Sequence, residues 1–448
     1  MTGLPGASRR GILKAGLVAG ALAGSGAWTF ASKLQQPGEL PYPHLPAGTD
    51  TIPQIEHIVV LMMENHSYDN KLGMLRRPGA DGFRLNRDGR PTATNPYADG
   101  RIQHAFRMPT TCQNGTVTQE WGNSHTQYDN GKMDGFVVTS GAESMGYWQQ
   151  ADQPFYYSMA REFPIADRYF CSVLGQTYPN RRYLLAATSI GQINDTEPAL
   201  TDYPANGTIF DQLNAHGLAW KDYYSTLPSV LLYPPLYFKS QANVVPVADF
   251  FTDAAAGTLP AYSLVEPNYG TQSEEDPQNI VGGEAFAASV INAVMSGPAW
   301  RRTLLIWTYD EHGGYFDHVP PPPALAPDDI PPEVPAGESA YNGFAQYGFR
   351  VPMAVISPWS RPGYVSHRVN DHTSICALVE AKWNLPAMTY RDANAGNLLD
   401  MVDLRFPAFG RPPRLAEPLQ ESDPSSLACS ATGPGTIPPP GSVTPPPG

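Results

Sequence analysis

The sequence predicts an α/β fold, a sheet covered by helices on both faces. Three observations carry that expectation. Short apolar runs recur at residues 55–63, 262–266, 303–309 and 351–357, each of strand length. Helix-length segments separate them, such as 285–295 and 374–383. Polar side chains follow the runs at once: Glu64 and Asn65 after the first, Asp310 and Glu311 after another. Strands apolar along their whole length belong to sheets buried on both faces, and such sheets bind ligands beyond the strands' carboxyl ends.

Taken in order, 55–63 is a strand that delivers Glu64-Asn65-His66-Ser67-Tyr68-Asp69. Glu64 and Asn65 offer the oxygen donors that hard divalent cations prefer, whereas His66 and Asp69 suit structural roles equally well. Residues 174–189 read as a turn into a helix, with Pro179 in the first turn, where a missing amide hydrogen costs nothing. Thr177 then stands just before the helix start. A threonine there is usually an N-cap, but its hydroxyl also feels the positive end of the helix dipole, as an attacking nucleophile would need. Of Arg181 and Arg182, one turn on, one suits a phosphate clamp and the other an ion pair. Residues 210–216 read as a helix and 218–224 as a strand.

The run 303–309 leads into Asp310-Glu311-His312-Gly313-Gly314, two adjacent carboxylates and a glycine turn that would let the backbone pass close to a bound group. His318 follows soon after. His372 precedes the last helix beside Asp371, which could orient it. His125 is an isolated histidine within 125–136, and Glu266 and Glu284 are weaker candidates.

The formal net charge is −13, which speaks against a nucleic-acid surface. An acidic chain that handles an anionic substrate needs local positive charge, and a bound cation supplies it. Residues 1–31 read as a leader. Ser8-Arg9-Arg10-Gly11-Ile12-Leu13-Lys14 resembles a twin-arginine export signal, followed by a small apolar stretch and a cleavage site near Ala31. That implies export by the translocation machinery to the cell envelope or medium. Residues 32–53 read as a linker, 54–420 as the catalytic body, and 421–448, rich in Pro, Gly and Ser, as a disordered tail. Cys112, Cys171, Cys376 and Cys429 allow three pairings, among which sequence does not choose.

Side by side, these motifs resemble the bacterial phosphoesterase family of phosphatidylcholine-type phospholipases C and acid phosphatase A. The resemblance rests on Glu64–Asp69, Asn130–Phe136, Thr177–Arg181, Tyr309–Gly314, Asp317–Pro321 and Asp371–Ser374, in the family's order. It implies an alkaline-phosphatase-like fold, a central mixed sheet between helical layers. It implies Glu64, Asn65, Asp310, Glu311 and Thr177 around a divalent metal ion (Ca, Mn, Mg or Zn). It implies Thr177 as the nucleophile, with His125, His318 and His372 serving phosphate and leaving group. The substrate would be a phospholipid or another phosphate ester, with peripheral contact at a membrane surface. The same machinery could act as a broad phosphomonoesterase, or the fold could be kept in an envelope protein that only binds ligands. Asp276-Pro277 departs from the family, in which a His-Pro is frequent. Tyr147, Trp148, Tyr156 and Tyr157 are candidate walls of a choline cage, with a place in the core as their other reading.

Overall fold

Apolar strands whose two faces are both covered define the centre of the molecule. The computed structural model describes residues 34–113, 115, 117–420, 429 and 438–446. The leader at 1–31 lies outside them, as does most of 421–437. Eight strands form the main sheet: β1 (His57–Met63), β2 (Ile165–Ala166), β3 (Trp220–Tyr224), β4 (Val244–Pro246), β5 (Tyr262–Val265), β6 (Thr303–Tyr309), β7 (Met353–Ile356) and β8 (Val365–Ser366). Their order across the sheet is β8-β2-β7-β6-β1-β5-β3-β4. All pairings are parallel except those of β7, which runs against β6 and β2. The sheet is therefore mixed and mostly parallel: the α/β class is the one the strand and helix pattern predicted, and the mixed sheet is the one the family resemblance implied.

β1 and β6 are the spine. They pair in parallel from His57↔Thr303 to Met63↔Tyr309. From Ile58 to Met63 and from Thr303 to Tyr309 every residue is buried. The Ile280–Ser296 helix packs on both strands, and the Thr177–Ala186 and Thr373–Trp383 helices pack on each other. The 280–296 helix begins five residues before the sequence pattern does. Asn279 caps it, accepting a hydrogen bond from Val281 N at 3.1 Å. The pair Gly282-Gly283 hides this start, because glycine usually reads as a helix breaker. Here Gly283 serves close packing: a Cβ on it would lie 2.0 Å from Glu274 Cγ.

Two expectations at the edges of the body change. Residues 36–53 are docked rather than loose. Thr51 N donates to Lys382 O at 2.8 Å, and Asn384 Nδ2 to Leu45 O at 2.9 Å. The described part of the tail is ordered as well. Val443–Thr444 adds an antiparallel strand to Ile102–His104, which also pairs with Thr94–Pro96, and Cys429 is disulfide-bonded to Cys112. Composition pointed to disorder because backbone pairing and a disulfide need no apolar side chains. Cys171 and Cys376 are free and buried. Among the described residues no helix is long and apolar enough to cross a membrane.

Candidate active site

Register places the acids. Because Met63 pairs with Tyr309, Glu64-Asn65 and Asp310-Glu311 leave adjacent strands at the same edge. Their backbones stay linked: Asp310 N donates to Met63 O at 3.2 Å, and Asn65 N to Asp310 Oδ1 at 3.2 Å. Asn65 takes a left-handed conformation, φ 63°. Gly313, at φ 64°, lies so close that a Cβ would come within 2.1 Å of Asn65 O. The glycine turn thus lets two loops touch each other, where the sequence suggested approach to a ligand.

Arg181 reaches into this cluster from the 177–186 helix. Its Nε donates to Asp310 Oδ2 at 2.9 Å, and Nη1 lies 3.4 Å from Glu266 Oε2. Its Nη2 stands 4.0 Å from Glu64 Oε1, and its guanidinium lies over the Tyr269 ring. Arg182 pairs instead with Asp202 at 2.8 Å. So Arg181 is the cation of the site and Arg182 a structural partner.

The helix begins at Thr177 itself, with Gln176 as N-cap and no side-chain capping bond. That is one residue earlier than the sequence suggested, and it removes the N-cap role for Thr177. The helix end is served from outside, by Asp195 Oδ1 accepting from Tyr178 N at 2.7 Å. Thr177 lines a cavity of about 440 Å³ with Glu64, Arg181, Asp195, Tyr269 and Glu275, and apolar residues complete the lining.

Carboxyl groups crowd in and around this cavity, and burial opposes their ionisation. Burial drives the Glu64 carboxyl well above its ordinary range, with Glu275 and Asp310 adding repulsion. Burial and then Asp310 do the same to Glu311. Glu275 is pushed up to about 7 and Asp195 to about 6, in both cases first by burial. Glu64 Oε2, Asn65 Oδ1 and Glu311 Oε1 are buried and meet no hydrogen-bonding partner among the described residues. Unpaired buried oxygens beside repelling carboxylates are a donor set suited to a hard divalent cation. Glu64, Asn65, Asp310 and Glu311 therefore fit a metal ion, with Thr177 lining the same cavity as Glu64.

Among the described residues, one set of three acid or histidine side chains brings its ligand atoms within 4.8 Å of one another: Asp69, Asp317 and His318. The Glu64–Asp310–Glu311 set is more open than that. The tighter set could hold a cation, but Arg350 is already there, with Nε 2.8 Å from Asp317 Oδ1 and Nη2 3.1 Å from Asp69 Oδ1. Every carboxylate oxygen of Asp69 and Asp317 already accepts a hydrogen bond, so this set leaves no unpaired donor oxygen for an ion. The group works as a buried ion-pair network joining the loops after β1 and β6.

None of the three histidines lines the cavity of Thr177. His372 Nε2 is 2.6 Å from Asp310 O and its Nδ1 is 3.1 Å from Tyr169 Oη, so both ring nitrogens are engaged. It buttresses the acid loop from behind. His318 bridges Asp69 at 2.6 Å and Asp81 at 3.2 Å. His125 stacks on Tyr341, ring centroids 3.9 Å apart, beside a separate concavity. Tyr147, Trp148, Tyr156 and Tyr157 are core residues. The rings of Trp148, Tyr156 and Tyr309 do surround a cation, but it is the chain's own Lys71, buried and paired with Glu274. Glu266 binds Arg181, whereas Glu284 accepts from Tyr156 N at 3.0 Å and does not line the cavity. Sequence reading passed over Asp195, Tyr269 and Glu275. Asp195 and Tyr269 sit in polar loops without a motif, and the only signal for Glu275 was its place in an acidic run before Asp276-Pro277.

A mostly parallel sheet thus carries at its carboxyl edge a carboxyl-lined, arginine-anchored cavity with a hydroxyl at a helix start, an arrangement suited to an α/β hydrolase of phosphate esters. The chain belongs to the Phosphoesterase family, whose profile matches residues 55–386. It is 32% identical over 386 residues to Non-specific phospholipase C1 of Arabidopsis thaliana, covering 76% of this chain and 70% of that protein. It is 30% identical to Phospholipase C A of Mycobacterium tuberculosis, covering 84% and 82%. Against Non-hemolytic phospholipase C of Burkholderia pseudomallei it is 30% identical, covering 80% and 60%. Among solved structures it is similar to a protein in the alkaline phosphatase superfamily from Vibrio parahaemolyticus. That match has 10% identity, 83% and 75% coverage and a TM-score of 0.39, too low to bear on the chemistry.

Proposed function

We propose that this chain is an exported, divalent-metal-dependent phospholipase C, which cleaves phospholipids such as phosphatidylcholine through a transiently phosphorylated Thr177. One observation carries the reading. Thr177 heads a ten-residue helix, does no capping, and shares its cavity with Glu64 and Arg181. The names of the relatives support the substrate class.

A cation held by Glu64, Asn65, Asp310 and Glu311 would supply Lewis-acid polarisation of a phosphoryl oxygen and acidify the Thr177 hydroxyl. The chain's own groups do the rest. The helix start and Arg181 favour negative charge on the phosphoryl oxygens. Thr177 Oγ1 forms the new bond to phosphorus, and its proton passes to a cleft carboxylate. The bond to the diacylglycerol oxygen breaks, and that oxygen takes a proton from a protonated cleft acid. Glu275 and Asp195 line the cavity, and on this reading they make these transfers. Water then attacks phosphorus of the threonine-bound phosphocholine diester, giving up a proton to a cleft carboxylate; the bond from phosphorus to Thr177 Oγ1 breaks, phosphocholine leaves and Oγ1 regains a proton. His372 and His318 act on this reading by holding Asp310 and the 317–318 loop.

The test is turnover of p-nitrophenylphosphorylcholine beside p-nitrophenyl phosphate, each with and without chelator. Faster, chelator-sensitive diester hydrolysis supports the proposal. Faster monoester hydrolysis makes the chain a phosphomonoesterase. Export rests on Arg9 and Arg10: changing both to lysine should hold the precursor in the cytoplasm, and normal appearance outside would refute it.

A further inference from the structure

Beside its acids the cavity has apolar lining residues, carried by segments that reach the surface. Pro228, Leu231, Leu232 and Pro234 line it, from the segment that follows β3. Leu227, at the start of that segment, is 56% exposed. Two neighbouring segments do the same. Pro198 lines the cavity and Leu200, two residues on, is 72% exposed. Pro234 opens the Pro234–Lys239 helix, on which Phe238 is 58% exposed. Large apolar side chains are thus left in water by each of the three pieces of chain that bring apolar residues to the cavity. Scattered exposed leucines need no explanation, but exposed large apolar side chains carried by the segments that line a cavity do.

We propose that Leu200, Leu227 and Phe238 form a rim that docks on a zwitterionic phospholipid surface, so that a lipid enters head first while its acyl chains stay along the rim. This rests on the phospholipase reading above and adds where the lipid phase meets the protein. The cavity volume suits a phosphate with its headgroup and glycerol, and two acyl chains would not fit inside. The chains need an apolar surface at the mouth, and the rim provides it. Charge selects the kind of surface. Glu197, exposed between the cavity acids and Leu200, and the net charge of −13 oppose an anionic membrane, and they tolerate a headgroup that carries an ammonium. Inserted leucine and phenylalanine side chains are the usual apolar anchors of proteins that sit at such an interface.

The experiment uses the full chain with the double substitution Leu200→Asp and Phe238→Asp, two residues that do not line the cavity. Two readouts are taken. The first is co-flotation with phosphatidylcholine vesicles, in a Thr177→Ala background so that the surface is not consumed. The second is hydrolysis of phosphatidylcholine vesicles relative to soluble p-nitrophenylphosphorylcholine. Expected are loss of co-flotation and a fall of tenfold or more in vesicle hydrolysis, with soluble turnover within twofold of the parent. Unchanged co-flotation, or an equal fall on both substrates, overturns the rim. Failure of the phospholipase reading looks different: the parent turns over neither substrate, while co-flotation still reports on the rim alone. Tighter binding of the parent to purely anionic vesicles than to phosphatidylcholine also overturns the proposal.

Discussion

Met63 and Tyr309 are register partners on adjacent parallel strands, and that one pairing sets Glu64 beside Asp310 across 245 residues of chain. Arg181 then bonds Asp310 at 2.9 Å and approaches Glu64 at 4.0 Å. The site is an arrangement of strand ends first and of side chains second.

Thr177→Ala separates chemistry from stability. No capping bond is lost, so the unfolding free energy should fall by no more than about 1 kcal/mol. Phosphodiester turnover should fall by about a thousandfold or more, as befits removal of a nucleophile. A variant within about tenfold of the parent would end the covalent mechanism.

Glu64→Gln tests the cation. In the metal-free protein it replaces a carboxyl whose ionisation is opposed first by burial and then by Glu275 and Asp310, so at neutral pH the metal-free melting temperature should rise. The parent should gain about 2.7 kcal/mol at an ion concentration one hundred times Kd, and the variant should gain much less. Calorimetry with and without Mn, Mg, Ca or Zn reads both effects. An unchanged ion response in the variant would exclude Glu64 as a ligand.

Arg181→Ala leaves Asp310 and Glu266 buried without their cation. Breaking a buried pair costs about 3–5 kcal/mol. Denaturant unfolding of this variant should show that loss, and an unaltered midpoint would show that the cluster is neutralised in some other way.

His318 gives a pH signature. Burial opposes its charge, yet Asp69 outweighs burial and pushes the imidazole up to about 9. A group whose folded pKa is raised contributes stability that is full below its unfolded value of about 6.5 and is lost as pH climbs toward about 9. Asp69→Asn should flatten that decline. Melting temperatures measured from pH 6 to pH 9.5 would show it, and identical slopes would refute the pairing.

The Cys112–Cys429 disulfide spans 317 residues. Reducing it should destabilise the oxidised protein by about 2–4 kcal/mol. The Cys112→Ser, Cys429→Ser variant should melt lower and lose all sensitivity to dithiothreitol. Continued sensitivity in that variant would place the reducible bond elsewhere.

The spine strands were legible because a strand buried on both faces is apolar without interruption, as 303–309 is. The acid pairs were legible for the same reason, standing where apolar runs stop. Other features had no local signal. β2 and β8 are two-residue strands made by tertiary pairing. Residues 442–444 pair through the backbone and a few polar side chains, such as His104 Nε2 at 2.6 Å from Thr444 Oγ1, with no apolar pattern to announce them. Asp195 and Glu275 enter the cavity from loops whose paths depend on distant partners. Gln278 Oε1, for instance, accepts from Glu274 N at 3.2 Å and so fixes the segment that carries Glu275. Histidines beside motifs were read as chemical, but for His372 the neighbours that decide its role, Tyr169 and the Asp310 carbonyl, are remote in sequence.

Lys71 bears on how this protein can change over generations. Its ammonium is sealed with Glu274 among Trp148, Tyr156 and Tyr309, and both tyrosine hydroxyls donate to that same carboxylate, at 2.7 and 2.9 Å. Losing either charge alone strands the other in the dark of the core. Descendants can abandon the pair only by passing through a poorly folded ancestor or by changing both positions together. The segment that presents Glu275 is therefore inherited along with a lysine that does not line the cavity.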